Sequence, residues 1–191
     1  MNESTIPNPE IDGQSVVIET AKPEDAEEIN NLLRATWLDT YPNEEAGITE
    51  EDIRLRLGGA NGERIPQRVQ RWKDTIEHID DTRSVYVARL DGRVVGMTAP
   101  RIANGRRHVG ALYVLPEVQG LGIGAQLMRN CLEWHGDDED IYLNVASYNQ
   151  NAINFYKHFG FDTTDTVVED TGDVYGNTKI PEVEMVRKAR A

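Results

Sequence analysis

The residues best suited to chemistry lie in Gln119-Gly120-Leu121-Gly122-Ile123-Gly124, three glycines between an apolar strand-like run and an amphipathic helical one. Without a Cβ the main chain can approach a ligand closely, and free N–H groups at a helix start attract anions. The pattern predicts a phosphate or pyrophosphate guest, although a plain strand-to-helix turn uses glycines for geometry alone. A nucleoside-triphosphate loop would need G-x-x-x-x-G-K-[ST], and no lysine occurs between Lys73 and Lys157. A dinucleotide fingerprint, G-x-G-x-x-G/A, fits Gly120, Gly122 and Ala125 literally. It also asks for an acid at the end of the next strand, where this chain has Asn144-Val-Ala-Ser147.

Other residues carry chemistry or packing, depending on context. Ala152, Phe155, Tyr156 and Phe159 recur at helical spacing, which suits a buried face. Tyr156 is also a phenol that stays protonated at neutral pH and can donate. Asn149 suits a helix cap. His108 titrates in the range of a general base, but it sits beside Arg106 and Arg107. The single cysteine, Cys131, excludes an internal disulfide and reads as buried packing. The four histidines include no H-x-x-x-H pair, so no protein-bound metal is expected.

Two segments narrow the choice. Leu112-Tyr-Val-Leu-Pro-Glu-Val-Gln-Gly-Leu-Gly-Ile-Gly resembles the acyl-CoA loop of the GNAT superfamily of N-acetyltransferases, [RQ]-x-x-G-x-[GA], with Gln119, Gly122 and Gly124 in register. The stretch Leu143 to Phe161 is similar to that family's second signature, N-x-x-A-x-x-x-Y-x-x-x-G-F, through Asn149, Ala152, Tyr156, Gly160 and Phe161. The resemblance covers Ser84 to Phe161, and the layout of Ser15 to Leu57 agrees with it. It implies an enzyme moving an acetyl group from acetyl-CoA, its co-substrate, to a primary amine of a small molecule or peptide. A CoA-binding module without catalysis, or an acyltransferase with a longer donor or a non-amine acceptor, remains an alternative.

By that resemblance, Gln119, Gly120, Leu121, Gly122, Ile123 and Gly124 hold the pyrophosphate. Leu112, Tyr113 and Val114 pair with the pantetheine arm, and Asn149 contacts it. Relatives often carry basic residues in this loop; here Gln119 and Leu121 leave the grip to backbone donors, with Lys157 or Arg129 near the outer phosphate. Tyr156 becomes the general acid for the departing thiolate. His108 stands where many relatives place their base, and Glu117 matches a structural position. Trp37, Asp39 and Tyr41 fall where the family builds its acceptor site.

These residues need a frame. Ser15–Thr20 alternates as a first strand, and Thr20-Ala-Lys-Pro-Glu-Asp opens a helix carrying Ile29, Leu32, Leu33 and Trp37 on one face. Thr49 caps a second helix ending near Gly58-Gly59, and a third covers Ile65–Ile79. Asp91-Gly92 and Asn104-Gly105 mark tight turns between strands. One strand runs from His108 through Leu115 to the glycine loop, then come a helix with Leu127, Met128, Cys131 and Leu132, a strand Ile141–Ala146, a helix from Asn149 to Phe159 and a last strand at Val183–Val186. Hairpins followed by a β-α-β-α passage predict an α+β or mixed α/β fold. The resemblance makes its central sheet mostly antiparallel, with one parallel pair splayed at the CoA site.

Composition bounds the rest. The 191 residues suit a loose leader, 1–14, and one domain, 15–191. Its start lacks a secretory signature and its apolar runs are far too short to span a bilayer, which points to the cytoplasm. With 20 basic and 33 acidic side chains the chain carries −13, a field that repels nucleic acid and anionic membranes. It attracts cations, which favours a polyamine among the open acceptors. Exposed strand edges leave a homodimer open.

Overall fold

The computed structural model describes residues 10–11, 14–168 and 179–190. The expected leader falls partly outside that range. Within it, β1 (Glu10–Ile11) pairs with β2 (Gln14–Ser15), so this stretch is in part an antiparallel ladder. Strand β3 (Val17–Thr20) follows. A 3-10 turn, Pro23–Asp25, then leads into α1 (Ala26–Thr40), where the Lys22 N–H donates to the Asp25 carboxylate at 2.9 Å. Helix α2 (Glu50–Gly58) starts on the reciprocal cap expected of Thr49, which exchanges hydrogen bonds with Asp52. Helix α3 is Ile65–Glu77.

Both predicted tight turns form. Asp91 and Gly92 adopt φ of 51° and 79° between β4 (Tyr86–Leu90) and β5 (Arg93–Thr98). Asn104 and Gly105, at 51° and 71°, do the same between β6 (Arg101–Ala103) and β7 (Arg106–His108). The strand expected from His108 to Leu115 is interrupted: β7 ends at His108 and β8 is only Leu112–Val114. Helix α4 (Ile123–His135), β9 (Ile141–Ala146) and α5 (Gln150–His158) follow, then β10 (Asp162–Val168), which no expectation covered, and β11 (Glu182–Arg187).

Two sheets result. One has the order β3-β4-β5-β8, wholly antiparallel; the other runs β10-β11-β9-β7-β6, with β7 and β9 its parallel pair. Because β7 and β8 are consecutive pieces of one chain path, the sheets meet in the few residues between them. One core packs α1, α3 and the near side of α4 against the first sheet through Ile29, Leu33, Ile76, Val87, Met97 and Leu127. The other packs α4 and α5 on the second sheet through Met128, Cys131, Leu143, Ile153, Phe161 and Met185. Burial pushes the Cys131 thiol up to about 12, so it packs as a neutral group. Among the described residues, no helix is long and apolar enough to cross a membrane.

The C-terminal end of α4 is clasped to β7. His135 Nε2 donates to the His108 carbonyl at 2.9 Å, and the Arg107 guanidinium reaches the His135 carbonyl at 2.5 Å and Asp138 at 2.6 Å. Burial holds His135 down to about 4, with Arg107 adding to the effect, so the folded protein keeps this ring neutral. An unfolded histidine titrates near ~6.5, so the contribution is complete above that pH and is lost progressively as pH falls toward 4. Lowering pH from 7.5 to 5.5 should remove about 1–1.5 kcal/mol through this group alone. Denaturant melts at both pH values should show that His135→Gln loses this share of the pH dependence.

Candidate active site

The site opens where two parallel strands part. Arg107 lies opposite Ile141 and His108 opposite Tyr142, and Val109 donates to the Tyr142 carbonyl at 2.9 Å. Gly110 then turns to φ +73°, and a Cβ there would strike the Ala99 carbonyl oxygen. Glycine is required on both counts. On its other side the chain stays paired, since Ala99 N–H donates to the Ala111 carbonyl at 3.0 Å and β8 continues along β5. The strand thus leaves β9 while keeping β5. Leu112–Val114 on one side and Leu143–Ala146 on the other wall a cleft of about 800 Å³.

The glycine turn forms one end of that cleft. After a 3-10 turn at Pro116–Val118, Gly120 and Gly122 sit at φ +79° and +81°, and Gly122 is the residue before α4 with no side chain capping it. The first N–H groups of a helix lack internal acceptors. Open space lies above both glycines, where a Cβ would meet nothing within 4 Å. Gln119 turns its amide back onto the Val114 carbonyl at 3.0 Å, so its side chain ties loop to strand. Gly124 borders Val114 and Phe155. Two expected ligand residues differ. The Ile123 side chain is buried in the core and Leu121 points out, 40% exposed, and neither lines the cleft. What they can offer is main chain.

Helix α5 supplies the other wall. Asn149 accepts from the Ala152 N–H at 3.0 Å, as expected of a cap, and also lines the cleft. Tyr156 lines the cleft as well, with its ring against Phe155 and Phe161. Burial raises its phenol well above the ordinary value, and Tyr113 and Cys131 push the same way. It therefore remains a proton donor at every physiological pH.

Beyond the strands lies a cluster of tyrosines. The Tyr41 hydroxyl is 3.3 Å from that of Tyr113, and the Tyr148 hydroxyl donates to the Tyr41 carbonyl at 2.8 Å. All three line the cleft together with Asp39. Trp37 stands behind them, its ring 4.7 Å from Tyr41 and 6.3 Å from Tyr113, and supports the cluster without lining the cleft. Burial raises the phenols of Tyr41, Tyr113 and Tyr148, and the charge of Glu182 raises each further. Glu182 is thus the carboxylate whose field reaches this end of the cleft. It opens β11 opposite Ala146, a cleft-wall residue. Sequence reasoning missed Tyr148 and Glu182, because nothing in the chain says which strand end faces Ala146.

His108 corrects an expectation. It lies in the still-paired part of the strand, outside the cleft, with its ring beside Tyr142. Burial lowers its pKa, and Arg101 and Arg106 lower it further, so it is a weakened base as well as a misplaced one.

Fold and cleft together define the class: a mixed α/β domain opened between two parallel strands above a glycine turn. The chain matches the Acetyltransferase (GNAT) family over residues 27–161, and it belongs to that family. It is 33% identical over 102 residues to an N-alpha-acetyltransferase of Sulfolobus acidocaldarius, covering 45% of this chain and 61% of that protein. A peptidyl-lysine N-acetyltransferase of Escherichia coli, YjaB, is 34% identical over 70 residues, 36% of this chain and 46% of that protein. The chain therefore spans less than two thirds of these relatives. Among solved structures, a PaiA N-acetyltransferase from Thermoplasma acidophilum in complex with coenzyme A shares the fold with a TM-score of 0.63. That match is at 22% identity, over 91% of this chain and 99% of that one. YncA from Salmonella typhimurium, a putative acetyltransferase solved with acetyl-CoA, gives 0.63 at 16% identity, over 93% and 95%.

Gly110→Ala tests the opening directly. Forcing an L-residue to positive φ against a fixed carbonyl should cost at least about 2 kcal/mol. Denaturation midpoints should register that loss, and calorimetry should show coenzyme A binding weakened at least ~tenfold.

Proposed function

We propose that the chain is an acetyl-CoA-dependent N-acetyltransferase acting on a primary amine of a small molecule or peptide. The observation that carries this reading is the parting of β7–β8 from β9 above a helix start left open by Gly120 and Gly122. An extended, amide-bearing arm can pair with the free edge of Leu112–Val114 while helix N–H groups take a diphosphate. That relatives include an N-alpha-acetyltransferase and a peptidyl-lysine N-acetyltransferase supports an amine acceptor in general. The polyamine preference rests on net charge alone.

In this reading the amine nitrogen attacks the thioester carbonyl, the C–S bond breaks, and the electron pair leaves on sulfur. Main-chain N–H groups of the free strand edge stabilise the charge developing on the carbonyl oxygen. Tyr156 gives its phenolic proton to the sulfur. That transfer suits a water-poor site, because burial disfavours a thiolate as it does a phenolate. A desolvated thiolate is accordingly a strong base. The acceptor arrives as an ammonium at Asp39 and the tyrosines, within the field of Glu182, and gives one proton to water to free its lone pair. The second proton of the attacking nitrogen returns through water to the Tyr156 phenolate. The products are an amide and a neutral thiol.

Thiol release from acetyl-CoA, measured with a panel of amines, tests the assignment. Tyr156→Phe should lower kcat at least ~tenfold with the affinity for coenzyme A unchanged. Since the phenol sits above its usual value, wild-type rates should show no alkaline decline up to roughly pH 9.5. Glu182→Gln should raise KM for the amine at least ~fivefold and move the rising limb of the pH profile toward the pKa of the free amine.

A further inference from the structure

A second cavity, of about 430 Å³, adjoins the first across the strand bulge, and Gly110 and Ala111 line both. Its wall carries Arg68, Arg71, Arg83 and Arg101 around Trp72, with no acidic side chain among its described lining residues. In a chain of net charge −13 that concentration is opposite in sign to the surroundings. Two of the arginines are also placed at a cost. Arg83 and Arg101 are Cα partners in an antiparallel bridge, and like charges directly opposite one another destabilise such a pair. Neither guanidinium makes a salt bridge or side-chain hydrogen bond among the described residues. His108, Cα partner of Arg101 on its other side, has its pKa lowered by burial first and then by the charges of Arg101 and Arg106, against the opposing charge of Glu184.

We propose that this arginine cavity is an acceptor subsite for an anionic group, so that the preferred acceptor is an amine that also carries a carboxylate or a phosphate. The inference rests on the N-acetyltransferase reading and sharpens its acceptor class. The distances suit one molecule. Ala111, on the wall of the arginine cavity, and Tyr113, in the tyrosine cluster, are two residues apart, or roughly 7 Å along a strand. An amine at Tyr113 can therefore leave its own anion between Arg83 and Arg101, where guanidinium forks bind carboxylate and phosphate with two hydrogen bonds each. The polyamine preference drawn from net charge is the opposite reading. The local field, which the acceptor meets, decides against it.

The test compares acceptors matched in size: a glycine dipeptide with a free carboxylate, the same dipeptide as its amide, O-phosphoethanolamine and spermidine. Wild-type kcat/KM should be at least ~tenfold higher for one of the anionic acceptors than for the amide or spermidine. Which anion wins separates carboxylate from phosphate. Arg83→Gln/Arg101→Gln should remove that preference by raising KM for the anionic acceptor at least ~tenfold, while the amide changes less than ~twofold and coenzyme A binds as before. Preference for spermidine or the amide, untouched by the double substitution, would overturn the proposal. A readout independent of turnover keeps the two readings apart. Succinate or inorganic phosphate should raise the Tm of the wild type and not of the double variant. If no amine releases thiol yet this shift appears and is lost in the variant, the subsite stands and the transferase reading fails; no shift with either anion sinks the subsite.

Discussion

The interaction on which the rest of the molecule depends is one that is missing: the hydrogen-bond ladder between β7 and β9 stops after Val109. Unpaired main-chain groups inside a protein are costly, so a sheet does not open without something that forces it. Here the force is local and steric. Gly110 takes a left-handed conformation against the Ala99 carbonyl, while Ala99 and Ala111 keep the neighbouring ladder intact. The chain is thereby steered along β5 and away from β9. The cleft, the free edge of Leu112–Val114 and the aim of the glycine turn all follow from that one change of partner.

The opening then needs supports on both sides, and the two larger cores divide the task, with a third small cluster of Ile48, Ile53, Leu57, Ala146 and Ile180 behind Tyr41 and Tyr148. Helix α4 bridges the sheets, giving Ile123 and Leu127 to one core and Met128 and Cys131 to the other. Its last turn is fixed to β7 by His135 and Arg107, just before the strands separate. Its first turn hangs over the cleft without a side-chain cap. A helix anchored at one end and left electrostatically unsatisfied at the other presents its N–H groups to whatever fills the space. The fold stabilises the rigid end with a buried neutral imidazole, a choice that suits pH near neutrality and above.

Much of this was legible in the chain. Thr49 and Asp52 announce a reciprocal cap, Asp91-Gly92 and Asn104-Gly105 announce their turns, and the periodicity of Leu127, Met128 and Cys131 marks a buried face; each is a local rule acting on neighbouring residues. The glycine turn, Asn149 and Tyr156 stood out through their resemblance to the two family motifs, and the structure brings all three to one cleft. What failed to show was long-range. Val109-Gly110-Ala111 reads as the middle of a strand, since only the distant Ala99 carbonyl makes that glycine obligatory. Strand β10 begins at Asp162-Thr163-Thr164-Asp165, where the acids, disfavoured in strands, mask the threonines, and its pairing with β11 is irregular between Thr163 and Val167. Glu182 and Tyr148 became visible only when β11 was laid against β9. His108 looked chemical for its pKa range and proved to stand one step short of the opening.

The acidic character of the chain bears on how such a site can work at all. A protein of net charge −13 that is to hold a diphosphate, as proposed, must overcome repulsion from its own surface. Salt confines that repulsion to about 8 Å at physiological strength, whereas helix-start N–H groups act at contact distance. Short-range dipoles can therefore win locally without any lysine or arginine in the turn, which is how Gly120 to Gly124 are composed. The same argument separates the two ends of the cleft. Around the tyrosines the nearby charges are Glu182, Asp39 and, over Trp37, Arg56; across the bulge the cavity wall carries Arg83 and Arg101. Net charge describes neither neighbourhood, and an acceptor held across both, as proposed, would be selected by the difference in potential over a few ångströms.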